Sequence, residues 1–375
     1  MAPELRKILD AHHREIEFCT FCPKMCRFAC PVANATSNET FTPWGRQSLL
    51  HLVSEGHIEF NREIAYTMYQ CASCGLCQEY CDHGIDVPPV MLAAREYAVS
   101  ADLEPHEVAE FRQFWSQHNN PYGDDLRARL RQQVSDEYFV RDAQAVYFAG
   151  CGSVYHHPSV LQDTWRVFEA MRIDYVSCYE GEAMCCGAPL RQLGLRAEYE
   201  KNARRLAGEL SRYKTIISGS PQCVYELKFA FAQLGLKMPP RIHHISEFLW
   251  PLIEEGRLRV SRTFPQSAMY HDPCVLSRQL GVTEEPRNIL KHVLREPLTE
   301  FSQNGRRSEC CGGFGGLTVT NPDAATAIAN NRLAEVREHP QTVLITSCSS
   351  CRRQFESVEP QLEVLDLVNV LARCV

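Results

Sequence analysis

Residues 342–348 read TVLITSC, and an earlier stretch, residues 215–223, reads TIISGSPQC. Both are short apolar runs that end in a cysteine, and such runs are typical of buried strands in a parallel sheet. The cysteine that ends the later run, Cys348, lies 125 residues after Cys223, which ends the earlier run. The two runs therefore predict the same strand in two copies of one structural unit.

A Cys-Cys-Gly triplet lies upstream of each run and repeats at the same distance, since Cys311 follows Cys186 by 125 residues. Each copy opens with a strand-like stretch, AVYFAGC ending at Cys151 or SAMYHDPC ending at Cys274. An amphipathic helix pattern follows each triplet, with apolar positions Ala203, Leu206, Ala207 and Leu210 in one copy and Ala325, Ile328, Ala329, Leu333 and Val336 in the other. This alternation predicts two small α/β units with parallel sheets. The cysteines are then expected at strand ends and helix starts, where such folds carry functional residues.

Eight further cysteines form two blocks within the first hundred residues. The blocks are spaced C-x2-C-x3-C-x3-C and C-x2-C-x2-C-x3-C, and their members are Cys19, Cys22, Cys26 and Cys30, then Cys71, Cys74, Cys77 and Cys81. Thiolates bind iron and sulfide well, and four of them hold one cluster. The blocks therefore predict two cubane [4Fe–4S] clusters. In two-cluster ferredoxins the fourth cysteine of each block binds the other cluster, so Cys81 is expected to join the first block and Cys30 the second.

Zinc is the alternative for these two blocks, because C-x2-C pairs also suit a tetrahedral zinc ion. Zinc ribbons use two separated pairs, however, whereas here four cysteines stand within about a dozen residues. Asp82 occupies a position that is usually proline in the second block, but this change removes no ligand.

Composition favours an intracellular redox or metal protein. The 375 residues are 45% hydrophobic and include 19 cysteines, and large intracellular chains use cysteine for metals or redox chemistry rather than for disulfides. The charged N-terminus lacks the apolar stretch of a secretory signal, and no run approaches the roughly 18 apolar residues of a membrane span. We expect a cytoplasmic protein, either free or held at a membrane through a partner. The net charge of −7 argues against nucleic-acid binding.

The chain is expected to divide into four segments. Residues 1–100 carry both cysteine blocks and no strand signals, which predicts a helical domain with a helix after a turn at residues 44–46. Residues 101–143 are predicted to be a helical connector. The two α/β copies are expected to occupy residues 144–262 and 263–375.

Together with the Asn120-Pro121-Tyr122-Gly123 connector, these motifs resemble the cysteine-rich CCG-domain iron–sulfur oxidoreductases over essentially the whole chain. That family includes the D subunit of heterodisulfide reductase and its B-type relatives, and the iron–sulfur subunits of glycolate oxidase and anaerobic glycerol-3-phosphate dehydrogenase. The resemblance implies a helical two-cluster ferredoxin domain followed by two tandem Rossmann-like α/β CCG units.

The second copy matches the family pattern C-x(n)-CCG-x(n)-C-x2-C in full. Its five cysteines are Cys274, Cys310, Cys311, Cys348 and Cys351. In the heterodisulfide reductases such a set binds a noncubane [4Fe–4S] cluster at which a disulfide is reduced. The resemblance therefore implies a noncubane cluster and a catalytic role for these residues, with a zinc site made of a subset of them as the alternative.

The first copy departs from the pattern, because Glu226 stands at the fifth position. The four remaining ligand candidates are Cys151, Cys185, Cys186 and Cys223. A second noncubane cluster, a zinc or other metal ion, and a structural remnant are all compatible with this set. A single active cluster, as in the D-type members of the family, fits better than a pair of clusters that clamp a disulfide.

Other residues carry weaker signals. His271 and Asp272 precede Cys274 and could orient a ligand or protonate a leaving thiolate, although a structural role is the simpler interpretation. The glycines of residues 312–316 lack the spacing of a dinucleotide-binding loop and are interpreted as letting backbone approach the cluster. Cys178 and Cys374 fit no motif and are interpreted as a core thiol and a tail residue.

Three functions follow from these patterns. In the first, the chain belongs to a redox complex and passes electrons through two cubane clusters to a noncubane cluster, where a small-molecule or protein disulfide becomes two thiols. In the second, it only transfers electrons, from a flavoprotein partner to a quinone or another acceptor, whereas a haem-containing membrane subunit as partner would favour the first. No flavin or nicotinamide motif occurs, so hydride chemistry would belong to that partner. The third is a zinc-scaffolded interaction protein.

Overall fold

The computed structural model describes all 375 residues, which form two compact units. The helical unit consists of Met1–Ser116, Pro189–Glu198 and Glu309–Ala334, and the sheet unit of Gln117–Ala188, Tyr199–Ser308 and Glu335–Val375. Each unit thus draws on separate stretches of the chain. The boundaries of the four segments expected from the sequence, which follow one another along the chain, stay a prediction.

The first 118 residues form helices only, which confirms the absence of strands. The helices are α1 (Pro3–Ala11), α2 (His13–Thr20), α3 (Pro31–Thr36), α4 (Pro43–Ser54), α5 (Arg62–Tyr69), α6 (Leu76–Glu79), α7 (Val87–Ser100) and α8 (His106–His118). Their apolar faces bury Leu5, Ile16, Leu50, Met68 and Val90 in one core, in which Cys19 and Cys71 also lie. The cysteine loops are therefore anchored to the core of this unit.

The turn predicted at residues 44–46 is wrong, because α4 already begins at Pro43. The Thr42 side chain accepts a hydrogen bond from the Gly45 backbone, and proline at the first helical position lacks only a donor that would be unpaired anyway. Gly45 is required for another reason, since a Cβ there would lie 2.6 Å from the Thr40 carbonyl oxygen.

The first α/β copy forms a four-stranded parallel sheet in the order β2-β1-β3-β4. Its elements are α9 (Leu126–Gln133), β1 (Ala145–Tyr147), α10 (Cys151–His156), α11 (Pro158–Ala170), β2 (Val176–Cys178), α12 (Ala188–Gln192), α13 (Arg196–Leu210), β3 (Thr215–Ser218), α14 (Pro221–Tyr225), α15 (Phe231–Gln233), β4 (Arg241–His244) and α16 (Ile245–Glu254). A π-helical turn, Glu226–Ala230, separates α14 from α15.

The second copy repeats this arrangement with a parallel sheet in the order β6-β5-β7-β8. Its elements are β5 (Ala268–His271), α17 (Glu284–Val293), β6 (Thr299–Glu300), α18 (Leu317–Thr320), α19 (Pro322–Arg337), β7 (Val343–Thr346), α20 (Ser349–Val358), β8 (Val364–Asp366) and α21 (Leu367–Ala372). A π-helical turn, Val275–Gln279, follows β5. The two parallel sheets confirm the α/β prediction, while the finer likeness to a Rossmann fold stays a prediction.

The two sheets pack through equivalent helices within the sheet unit. Helix α11 of the first copy packs on α21 of the second, and α16 of the first packs on α17 of the second. The α11–α21 contact includes a hydrogen bond of 2.7 Å from Asn369 Nδ2 to Asp163 Oδ2. Each copy uses the same two helices to contact the other copy. The two copies are therefore related by an approximate twofold axis.

The side chain of Arg95, on α7, links the three chain segments of the helical unit through hydrogen bonds. It is fully buried, and its nitrogens donate to five backbone carbonyls, those of Met68 (3.0 Å), Tyr69 (3.4 Å), Cys71 (2.7 Å), Gln192 (2.7 Å) and Gly315 (2.9 Å). These acceptors belong to all three chain segments of the unit. Arg95 is thus the point at which the segments that follow both Cys-Cys-Gly triplets join the cysteine-block domain.

The substitution Arg95→Met keeps the aliphatic stem but removes every donor of this network. We expect the free energy of unfolding to fall by about 3 kcal/mol or more, because each buried acceptor left without a donor costs about 1–3 kcal/mol. Urea denaturation followed by far-UV circular dichroism measures the change. The control is Arg127→Met on the exposed face of α9, which should alter stability by less than about 0.5 kcal/mol. Equal midpoints for the two variants would contradict the role given to Arg95.

Candidate iron–sulfur centres

Four cysteines of the two N-terminal blocks meet around one cavity of the helical unit. Cys81 of the second block lies there with Cys19, Cys22 and Cys26 of the first. The remaining lining residues are Phe18, Lys24, Met25, Trp44, His83 and Ile85. We call these four cysteines the outer set, because three of them and the neighbouring side chains Phe18 and Met25 are at least partly exposed.

The thiols of the outer set face one another closely enough to affect each other's protonation. Burial raises the pKa of Cys19 to about 12, and the neighbouring Cys26, Cys81 and Cys22 add to the rise. Burial, then Cys81 and Cys22, raise the pKa of Cys26 to about 11. Without a metal Cys19 and Cys26 stay neutral thiols, whereas metal binding requires thiolates, so binding would release protons.

Cys30, Cys71, Cys74 and Cys77 form a second, inner set. Burial raises the pKa of Cys30, and Cys71 and Cys74 raise it further. Burial also holds the pKa of Cys77 well above its usual value, with contributions from Cys74, Cys26, Cys71 and Cys30. In the structure the fourth cysteine of each block therefore lies near the other block, and the crossed assignment of cluster ligands stays a prediction.

A buried arginine beside the inner set provides a test of whether these residues fit a cluster. The Arg46 side chain is 2% exposed, its Nη2 lies 3.9 Å from Cys30 Sγ, and its Nη1 donates to the Gln70 carbonyl. Its Nε has no hydrogen-bond partner. A buried cation with an unused donor is costly unless a negative acceptor lies nearby. A cluster bound by four thiolates is negative and carries sulfide acceptors, so the residues fit such a group.

In the first α/β copy the four cysteines come together in a chain of sulfur contacts. Cys151 is the first residue of α10, and its Sγ lies 3.3 Å from that of Cys185. The thiol of Cys186 is in turn hydrogen-bonded to the thiols of Cys185 and Cys223. Gly150 has a φ of +76°, and a Cβ there would lie 3.1 Å from Cys223 Sγ, so glycine both permits the backbone conformation and leaves room for the sulfur.

Glu226, at the fifth position of this copy, is held by a tyrosine. Its carboxylate is fully buried at the start of a π-helical turn and accepts a hydrogen bond of 2.5 Å from the Tyr199 hydroxyl. Tyr199 lies on α13, the second helix after the first Cys-Cys-Gly triplet. Sequence reasoning missed Tyr199, because no spacing relates it to the cysteines. One carboxylate oxygen of Glu226 is therefore already engaged by the Tyr199 hydroxyl.

The five cysteines of the second copy are divided between the two units. Cys274, Cys348 and Cys351 belong to the sheet unit, where Cys274 precedes a π-helical turn and Cys348 caps the start of α20. Within that unit, Gln222 of the first copy donates to Cys348 Sγ at 3.4 Å. The strand-end and helix-start positions expected for these cysteines are confirmed.

Cys310 and Cys311 belong to the helical unit, where glycine amides stabilise their sulfurs. The backbone N–H of Gly312 donates to Cys310 Sγ at 3.3 Å, and that of Gly313 donates to Cys311 Sγ at 3.4 Å. Such bonds favour the thiolate form that a metal requires.

Gly315, in the same glycine-rich loop, lies directly against the second cysteine block. It has a φ of +74°, and a Cβ there would lie 2.3 Å from the carbonyl carbon of Ala72. Ala72 stands between Cys71 and Cys74 of the inner set. This glycine therefore allows two backbones to meet, which is a different role from the close approach to a cluster that the sequence suggested.

His271 and Asp272 have different surroundings. The His271 ring is fully buried, lies edge-on to Phe355 at 4.9 Å, and brings a ring nitrogen within 4.8 Å of Cys351 Sγ. Asp272 instead receives two hydrogen bonds of 2.7 Å from Arg287, as well as the Gly305 N–H at 2.8 Å. Asp272 is therefore a structural anchor, and of the two residues only His271 remains a candidate for a role beside the cysteines.

A tyrosine that sequence reasoning treated as part of the connector lies near the first copy's cysteines. The Tyr122 hydroxyl is hydrogen-bonded to Arg353, and the ring stacks on Tyr155 at 4.4 Å. Burial raises its pKa, and Cys151 and Cys185 raise it further. The Asn120-Pro121-Tyr122-Gly123 motif therefore places a tyrosine beside Cys151 and Cys185 as well as forming a turn.

The two cysteines outside every motif are both buried. Cys178 ends β2, as expected of a core thiol. The interpretation of Cys374 as a tail residue is wrong, because its side chain is fully buried and its carbonyl accepts the Ser261 N–H at 2.8 Å.

None of the helices combines the length and the apolar character that crossing a membrane requires.

Comparison with known proteins agrees with this arrangement of sites. The chain matches a 4Fe-4S dicluster domain over residues 15–85 and the cysteine-rich domain twice, over residues 145–228 and 268–356. It is 27% identical to the D subunit of dihydromethanophenazine:CoB–CoM heterodisulfide reductase from Methanosarcina acetivorans, over 83% of this chain and 78% of that protein.

Two further relatives come from other redox systems. The chain is 26% identical to the B subunit of fumarate reductase (CoM/CoB) from Methanothermobacter marburgensis, over 92% of this chain and 69% of that protein. It is 25% identical to EtfAB:quinone oxidoreductase of Syntrophomonas wolfei, over 81% of this chain but only 46% of that protein. With a dicluster domain followed by two cysteine-rich domains, the chain belongs to the CCG-domain iron–sulfur oxidoreductase family.

Proposed function

We propose that this chain, within an oxidoreductase complex, delivers electrons to a disulfide and reduces it to two thiols. In this proposal the outer and inner sets each hold a cubane [4Fe–4S] cluster. A noncubane cluster is held by Cys274, Cys310, Cys311, Cys348 and Cys351. Electrons come from another redox subunit, and the overall reaction consumes two electrons and two protons for each disulfide bond broken.

The observation that carries the proposal is the contact between Ala72 and Gly315 in the helical unit. It joins the loop of the inner set to the loop that follows Cys310 and Cys311. Arg95 braces the contact, because its guanidinium donates both to the Cys71 carbonyl and to the Gly315 carbonyl. A short and rigid protein bridge of this kind suits the passage of electrons from the cubane clusters to the Cys-Cys-Gly motif.

The exposure of the two sets supports a direction for the relay. The outer set lies beside partly exposed apolar side chains, including Phe18 and Met25, and is accessible to a partner subunit. The inner set lies deeper, and it is the one that contacts the Cys-Cys-Gly loop. Electrons would therefore enter at the outer set and leave the inner set towards Cys310 and Cys311.

Bound clusters would supply one-electron carriers, and the protein residues supply the rest. The cysteines provide the ligands, the Gly312 and Gly313 amides favour thiolate at the Cys-Cys pair, and the buried His271 imidazole offers a proton-transfer group near Cys351. Exclusion of water by the buried sulfurs limits side reactions at the site.

A second candidate is an electron-transfer protein without a substrate of its own, linking a flavoprotein to a quinone or another acceptor. The likeness to the EtfAB:quinone oxidoreductase favours it. The two proposals differ at the second cysteine-rich domain, which would meet a disulfide in the first and only pass electrons in the second.

The assignment of ligands to the two cubane sets predicts the iron content of single-cysteine variants. We expect Cys81→Ala to lose the outer cluster and Cys30→Ala to lose the inner cluster, each removing up to about four iron atoms per chain. Anaerobic iron and sulfide analysis with EPR measures the loss. The control Cys178→Ala should keep all of its iron, and loss of the same EPR signal in both variants would contradict the crossed assignment.

Disulfide reduction is expected to depend on the Cys-Cys pair. With a reduced viologen dye as electron donor, Cys310→Ala should lower turnover of small disulfides at least about a hundredfold, because the proposed cluster loses a ligand. The cubane EPR signals should remain, since Cys310 belongs to neither set. Cys374→Ala is the matched control. Unchanged turnover in the Cys310 variant would contradict the role proposed for the Cys-Cys pair, whereas absence of disulfide turnover in the unmodified chain would favour the second candidate function.

The first copy's cysteines are expected to bind one metal centre, because their four sulfurs lie in one connected group and three of the four residues are buried. Cys186→Ala should then lower the total of iron and zinc measured by mass spectrometry, without change in the cubane EPR signals. The metal that disappears identifies the occupant. Metal content equal to that of the unmodified chain would make the set a structural remnant.

A further inference from the structure

The inner and outer sets differ in the charges that face them. Two guanidinium groups of the helical unit are buried beside the inner set. Arg46 is 2% exposed and lies next to the thiols of Cys71, Cys30 and Cys77, while Arg95 is fully buried and donates to the Cys71 carbonyl. No acidic side chain is hydrogen-bonded to either guanidinium, so their positive charge is not cancelled within the protein.

The charge of buried Arg46 also reaches Cys19 of the outer set, but the other charges around that set are in contact with water. Lys24 lines its cavity but is only partly buried, with its Nζ 3.9 Å from the centre of the Trp44 ring. Asp82, beside Cys81, is exposed and of opposite sign. Water and salt screen exposed charges within about 10 Å, whereas a buried charge keeps most of its field. The net positive field is therefore stronger at the inner set.

We infer that Arg46, supported by Arg95, holds the reduction potential of the inner cluster above that of the outer cluster. A nearby positive charge stabilises the reduced form of a cluster, because reduction adds one negative charge. One electron then moves favourably from the outer site, which is oxidised, to the inner site, which is reduced. The inference rests on the proposed function, because it requires that both sets hold clusters.

The hydrogen-bonding state of Arg46 favours this electrostatic role over a purely structural one. Arg95 satisfies five carbonyls and so has an evident structural function. Arg46 bonds to one carbonyl, at Gln70, and directs Nη2 towards Cys30 while its Nε has no partner. Hydrogen bonds to cluster sulfurs, like positive charge, raise the potential. Arg46 is thus a positioning and tuning residue for the inner cluster.

Potentiometric titration monitored by EPR tests the role of Arg46. In Arg46→Gln the ratio of reduced to oxidised inner cluster, at a fixed potential near its midpoint, should fall about tenfold, which equals a shift of about 59 mV for one electron. Arg46→Lys retains the charge and should recover at least half of that shift. Lys24→Gln, the control beside the outer set, should change the ratio for either cluster by less than about threefold. An unchanged inner potential in Arg46→Gln, with iron content retained, overturns the inference.

A second measurement does not depend on the stability of Arg46 variants. If each cubane is removed separately, the transition at higher potential should vanish in Cys30→Ala and persist in Cys81→Ala. The opposite assignment overturns the inference while leaving the proposed relay intact. Absence of both cubane signals from the unmodified chain, loaded anaerobically with iron and sulfide, would instead overturn the proposed function together with the inference.

Discussion

The helical unit depends on the burial of one guanidinium group among backbone carbonyls. Arg95 gathers five acceptors from three separate stretches of chain, and two of these stretches directly follow a Cys-Cys-Gly triplet or contain one. A neutral side chain of the same length could fill the space but could not bond to all of these oxygens at once. The same group that completes the fold therefore also fixes the loop of Cys71 against the loop of Gly315, where the proposed relay to Cys310 and Cys311 would cross.

The two cysteine-rich copies share a framework but differ at one position. In both, a strand leads to a cysteine, a Cys-Cys-Gly triplet precedes a helix, and a second strand leads to another cysteine. The first copy has Glu226 where the second has Cys351, and Tyr199 takes up one oxygen of that carboxylate. Loss of a thiol alone would leave a gap among buried sulfurs. The hydrogen-bonded pair fills the position with polar groups that satisfy each other, so the framework of the first copy persists with a different donor set.

Sequence reasoning reached the repeat and the parallel sheets, because each rests on spacing or on apolar periodicity. It predicted β1, β3, β5 and β7 but missed the four other strands. Of these, β2, β6 and β8 are only two or three residues long, and β4, with the sequence RIHH, contains a single aliphatic residue. It placed a turn at residues 44–46, since the capping of α4 by Thr42 and the tight packing of Gly45 are tertiary effects. Arg46, Arg95 and Tyr199 act through burial and long-range contacts, and no local pattern distinguishes them from ordinary surface residues.

The buried arginines also give the inner and outer sets different surroundings, although their cysteine blocks are nearly alike. Nearly identical ligands would give two clusters of similar potential in the same surroundings, and an electron would then have no preference between them. The surroundings are not the same. The outer set faces a partly exposed apolar surface with screened charges of both signs, and the inner set faces two buried cations. Differences in burial and fixed charge are the means by which a protein separates the potentials of chemically identical clusters. The fold supplies that difference along the same path on which Ala72 meets Gly315, so the packing that joins the sites would also order them.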